Sequence, residues 1–183
     1  TVYRRVLGIA TACLAALVSL SPSLAQAPGD LRVALVIGNA AYAGAAALAN
    51  PGNDAKAMGE TLRSLGFTVV EIQDSSKQQM QDAIGKVKAS LQGKQAIGML
   101  YYAGHGLQLD WRNYMVPVDA KLSNAADVVE QAVDLAQVLD AFKTAGNRMN
   151  IVVLDACRDN PFAATATGKG LAQLDAPPGT FLA

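Results

Sequence analysis

Apolar residues recur along this chain in two rhythms that take turns. Val33 to Ile37 is an unbroken apolar run ending at Gly38-Asn39, the pattern of a strand buried on both faces and closed by a turn. Phe67 to Ile72, Ala96 to Tyr102 and Ile151 to Leu154 repeat it. Between these runs the apolar positions take helical spacing. Ala55, Met58, Leu62 and Leu65 share one face of Asp54 to Leu65, and Met80, Ile84, Val87 and Leu91 share one face of Lys77 to Leu91. Leu135, Val138, Leu139 and Phe142 do the same in Leu135 to Phe142, and Gly66 supplies a stop for the first helix. Strands alternating with helices predict an α/β fold, a three-layer sandwich with a mostly parallel central sheet covered on both faces. Gly106 to Val118 breaks the alternation and reads as a short hairpin added after the third strand. Ala163 to Gly179, rich in Ala, Thr, Gly and Pro, reads as an exposed loop, and another strand begins at Phe181-Leu182-Ala183.

The first 27 residues follow a different plan. Arg4 and Arg5 precede an uncharged run of 15 residues from Val6 to Leu20, then Ser21-Pro22-Ser23 and Ala25-Gln26-Ala27. This is the layout of a secretory signal peptide, and its apolar run falls short of the roughly 20 residues that span a membrane. Cleavage is expected after Ala27, which makes 28–183 one domain of a periplasmic or secreted protein with no stable membrane association. The remaining chain carries 13 basic against 15 acidic residues, a net of −2. With no basic surplus, nucleic acid and anionic membrane surfaces drop out as partners. One histidine, His105, and one cysteine, Cys157, remain. A lone cysteine in an exported protein is either a buried, inert side chain or a free thiol with a task.

In open parallel sheets, ligands bind beyond the carboxyl ends of the strands. Three segments put reactive groups there: Asn53-Asp54 after the first strand, Gly104-His105-Gly106 after the third, and Asp155-Ala156-Cys157-Arg158-Asp159 after the fourth. If the third and fourth strands are neighbours, His105 and Cys157 face one crevice. An imidazole beside a thiol can take its proton and return one to a leaving amine. Backbone N–H groups of Gly106 and Cys157 are candidates to receive the oxyanion. Taken singly, each residue has a bland reading: a cysteine at a strand end is commonly a small hydrophobe, and a lone histidine a hydrogen-bonded structural residue. One histidine, one cysteine and scattered carboxylates lack metal-ligand spacing, and no G-x-G-x-x-G follows the first strand.

At these residues the sequence resembles the caspase and metacaspase peptidases, from Arg32 to about Phe162 and more loosely to the end. Val33 to Asn39 is similar to the family's first strand and turn, and Asn53-Asp54-Ala55 to its Asn-Asp-Ala element. Tyr101-Tyr102-Ala103-Gly104-His105-Gly106 is similar to the segment holding the catalytic histidine. Leu154-Asp155-Ala156-Cys157-Arg158 is similar to the segment holding the catalytic cysteine. The two residues lie 52 positions apart, against about 50 in the caspase signature. The resemblance implies the caspase-like fold and a cysteine endopeptidase with a Cys157–His105 dyad. It also implies a pocket in which Asp54 and Asp155 select a substrate arginine or lysine. The residue-level alternatives are a turn cap for Asp155 and a helix N-terminal residue for Asp54.

Some positions depart from the metacaspase pattern. Ala103 stands where a serine is usual, and Cys157-Arg158-Asp159-Asn160 where Cys-His-Ser-Gly is usual. The acidic stretch that follows the histidine in many calcium-dependent metacaspases is replaced by Gly106 to Asn113 with one carboxylate. No cofactor is therefore expected, and Asp119, Asp127 and Asp134 are the residual candidates for a weak calcium site. The expected partner is a peptide or protein substrate. A downstream small-subunit-like segment is a second expected partner, since family members continue into a smaller part beyond the one seen here. Lys169 is a candidate self-cleavage point. Two other classes compete: a non-catalytic caspase-like interaction module and a flavodoxin-like small-ligand binder.

Overall fold

A computed structural model of the chain describes residues 30–43, 45–157 and 176–183, with Cys157 described by its backbone. The expected leader, Arg158 and Lys169 lie outside the described residues. In chain order the elements are β1 (Arg32–Gly38), α1 (Pro51–Ser64), β2 (Thr68–Gln73), α2 (Lys77–Leu91), β3 (Ile97–Leu109), β4 (Arg112–Met115), α3 (Ala125–Gln131), β5 (Val133–Asp134), α4 (Leu135–Ala145), β6 (Met149–Cys157) and β7 (Thr180–Leu182). Five strands form a parallel sheet in the order β2-β1-β3-β6-β7. The far half of β3 turns away to pair antiparallel with β4, and β4 pairs antiparallel with β5.

Side-chain alternation sorts the sheet into two faces. Ala34, Val36, Met99, Tyr101 and Ala103 pack with Ala55 and Leu62 of α1. Val33, Leu35, Ile37, Leu100, Tyr102 and Val152 pack with Met80 and Val87 of α2 and with Val138 and Phe142 of α4. Because helices cover both faces, β1 can be apolar throughout, which is why it appears as an unbroken run rather than an alternation. Local signals start the helices where they are seen. Pro51 opens α1, Ser76 and Gln79 form a reciprocal capping box on α2, and the Asp134 carboxylate accepts the Ala136 N–H to cap α4.

The third strand differs from the sequence expectation, and the difference puts His105 inside regular structure. It does not stop at Tyr102 but continues to Leu109, so Gly104-His105-Gly106 lies inside a strand rather than in a loop. Gly106 to Leu109 are held there by β4, and Leu107 and Leu109 bury their side chains in a second cluster with Tyr42, Tyr114 and Val116. The hairpin turns over Asp110 and Trp111, whose φ values of 48° and 63° give the mirror-image turn that suits strand twist. The helix α3 and the two-residue β5 were not anticipated. Both are short, and Val128 is the sole buried residue of α3, too little for a readable period.

The loop from residue 39 to 50 crosses the carboxyl edge of the sheet and is fastened by the buried Asn39 and Ser75 and by the exposed Asp74. Asn39 Nδ2 donates to Val116 O at 3.1 Å, and its Oδ1 accepts the Ser75 N–H at 2.9 Å. The Asp74 carboxylate accepts the Ala40 and Ala41 N–H groups at 2.8 and 2.9 Å. Beside it, α1 lies very close to the end of β1: a Cβ on Gly38 would come within 2.5 Å of Pro51 O. That approach brings the first turn of α1, including Asp54, to the ends of the strands.

Candidate functional site

Pairing between β3 and β6 runs without interruption to the ends of both segments of interest. Ala103 faces Asp155, Gly104 faces Ala156, and His105 faces Cys157. Neighbouring strands lie about 4.8 Å apart, so the register sets the backbones of the histidine and the cysteine side by side at the carboxyl edge. The strands expected to be neighbours are neighbours.

His105 is 4% exposed and is held from three directions. Its backbone N–H donates to Tyr42 Oη at 2.7 Å, and Tyr102 Oη donates to its carbonyl at 2.6 Å. The Tyr42 ring packs on the imidazole with centroids 4.4 Å apart and planes tilted by 47°. On the ring itself, Nε2 lies 2.9 Å from the Ala46 carbonyl oxygen. A carbonyl only accepts, so Nε2 carries the proton, and in the neutral imidazole Nδ1 is then the basic nitrogen.

The same packing explains Gly104. A Cβ there would fall 2.5 Å from Tyr42 Oη, 2.8 Å from Tyr102 Oη and 3.1 Å from Asn39 O. Gly104→Ala is expected to destabilise the fold by about 1–3 kcal/mol through overpacking, read as a lowered midpoint in urea unfolding.

Gly106 N–H has a defined direction. The His105 carbonyl points toward β4, where it accepts the Val116 N–H at 3.0 Å. Across a trans peptide the next N–H points the opposite way. The Gly106 N–H is thus aimed away from β4 and into the β3–β6 ladder.

A cavity of about 300 Å³ opens next to this pair. Leu48 to Pro51, Asp54, Ala103, Gly104, Asp155 and Ala156 line it. The two carboxylates singled out from the sequence therefore share one recess, Asp54 from the first turn of α1 and Asp155 from β6. Both are exposed, and Asp155 Oδ2 accepts a hydrogen bond from Tyr101 Oη at 3.0 Å. Burial first, then the hydrogen bond to Asp155 and the charges of Asp155 and Asp54, push the Tyr101 phenol well above its usual range.

The three carboxylates named as calcium candidates have partners in separate places. Asp119 accepts the Lys77 N–H, Asp127 closes a capping box with Asn124, and Asp134 caps α4 while pairing with Arg112 at 3.0 Å. Among the described residues no group of three His, Cys, Asp or Glu could hold a metal ion, and no helix is long and apolar enough to cross a membrane. Three contributors to the site went unforeseen. Tyr42 and Tyr101 looked like ordinary apolar-run or loop residues, and the Ala46 carbonyl has no side-chain signal at all.

Comparison with known proteins follows the same lines. The sequence profile of the caspase domain matches residues 31–179. Human mucosa-associated lymphoid tissue lymphoma translocation protein 1 is 33% identical over 127 residues, which is 69% of this chain and 15% of that protein. Its mouse homolog matches with the same identity and coverage. The chain thus spans a small fraction of the length of these two relatives. Among solved structures, the Drosophila initiator caspase Dronc superposes with a TM-score of 0.56 at 14% identity, covering 82% of this chain and 53% of that one. At that identity the likeness is one of fold.

Proposed function

The chain belongs to the caspase family of cysteine peptidases, and on that premise we propose that it is an endopeptidase in which Cys157 and His105 cut peptide bonds after arginine or lysine. One observation carries the reading: the register that sets Cys157 beside a histidine whose outer nitrogen is already committed to the Ala46 carbonyl. That commitment orients the ring and leaves Nδ1 as the group that exchanges protons.

In the proposed reaction the Cys157 thiol gives its proton to His105, and the thiolate attacks the substrate carbonyl carbon. Negative charge gathers on the carbonyl oxygen, where the Gly106 and Cys157 N–H groups receive it. His105 then protonates the departing amine as the C–N bond breaks, leaving a thioester. A water molecule, deprotonated by His105, attacks the thioester, releases the acid product and restores the thiol.

Asp54 and Asp155 are proposed to hold the side chain of the residue before the cut bond. Two carboxylates in one recess favour a cation and repel an aspartate. The leader-like first 27 residues support action in the periplasm or outside the cell. The test uses the full-length natural protein and reporter peptides ending in arginine, lysine or aspartate. Thiol-dependent release is expected from the first two and not the third. Preference for the aspartate reporter overturns the pocket assignment, and no thiol-dependent release from any peptide favours a non-catalytic interaction module.

A further inference from the structure

The hydrogen bond from Tyr101 to Asp155 divides the work of the two carboxylates. We propose that Tyr101 is a positioning residue that pins one oxygen of Asp155, so that the pocket grips a guanidinium between Asp155 and Asp54 and prefers arginine over lysine. This rests on the reading that the pocket takes a cationic side chain.

Tyr101 is 5% exposed, fixed in β3 with Val153 of β6 as its register partner, and its hydroxyl emerges under Asp155. Asp155, by contrast, is exposed at the pocket wall. A rigid buried donor therefore holds the inner oxygen, Oδ2, of a carboxylate that would otherwise rotate. Among the described residues no hydrogen bond reaches the other oxygen, Oδ1, which stays available to a ligand. Because the phenol resists ionisation, the hydroxyl remains a donor throughout the working range of pH.

With one lone pair of Oδ2 engaged by Tyr101, Asp155 is fixed in orientation and offers its open acceptor sites, chiefly on Oδ1, to a guanidinium. A further contact is on offer from another element, because Asp54 on α1 lines the same recess. A guanidinium presents several N–H donors in a fixed plane and can bridge two acceptors. An ammonium is a compact point charge that gains little from the second carboxylate being correctly aimed. Pinning Asp155 therefore rewards arginine selectively. Removing the hydroxyl leaves the negative charge in place, so attraction for an ammonium persists while the aim required by the fork is lost.

Tyr101→Phe keeps the ring and its packing and deletes only the donor. KM for the arginine reporter is expected to rise about three- to tenfold, the range that ordering one side chain supplies, with kcat within twofold. KM for the lysine reporter should stay within twofold, so the arginine-to-lysine ratio falls. NMR titration of the same variant with agmatine and with butylamine reads binding independently of turnover, and agmatine alone should weaken. An equal loss for both cations, or no change for either, overturns the inference. Asp155→Asn run in parallel separates the two levels. If it weakens agmatine while Tyr101→Phe does not, only the positioning role fails, and if it changes neither cation the pocket reading fails with it.

Discussion

Cys157→Ala is expected to lower kcat/KM on an arginine-ended peptide by on the order of 10⁴-fold or more, with the unfolding transition unchanged. In the proposed mechanism the sulfur forms the bond that defines the covalent route. His105→Asn should fall by a similar order, and the double variant should be little worse than either single one, because a nucleophile and its proton-transfer partner act as a unit. Steady-state kinetics on the four proteins, with urea unfolding to confirm the fold, give the measurement. Activity above a few per cent in Cys157→Ala would remove the sulfur from the mechanism. Independent, multiplicative losses would point to two residues that do not work together.

The second large effect is expected at the pocket. Asp155→Asn retains the shape and the Tyr101 contact but deletes one of the two charges facing the substrate cation. Losing one partner of a desolvated charge pair costs about 2–5 kcal/mol. Asp155 is exposed before substrate arrives, which places it toward the lower end, at about 30- to 150-fold in kcat/KM for arginine peptides. Asp54→Asn should act in the same direction. An uncharged glutamine-ended peptide should lose little in either variant. Competition between arginine and glutamine reporters in one assay reads this ratio directly. Equal losses on both peptides would mean that the carboxylate shapes the site rather than recognising charge.

Both expectations depend on how much of the site the sequence disclosed. The two side chains proposed as the dyad were legible because each is the sole residue of its type in 28–183 and each follows an apolar run that reads as a strand. The neighbouring motifs located Asp54 and Asp155. Tyr101 was not legible as a pocket residue, since an aromatic in an apolar run is usually core. Its burial is indeed that of a core residue, and it meets the pocket only through the hydrogen bond from its hydroxyl to Asp155. Tyr42 was hidden for a related reason: it stands in a loop of small residues, with nothing nearby in sequence to show that it would lie on an imidazole 63 positions later.

By itself the sequence determined the alternation of strands and helices, the apolar face of α2, the buried character of β1 and the choice of candidate dyad residues. These follow from periodicity, local hydrogen bonding and residue chemistry, which act over a few positions at a time. Tertiary structure alone decided that β3 runs on through His105, that β6 rather than β2 lies beside that end of β3, and that a backbone carbonyl from residue 46 orients the ring. Each is a contact between segments far apart in the chain. Such contacts are selected by how whole faces pack and how distant backbone groups find partners, and neither choice is written in any short window of residues.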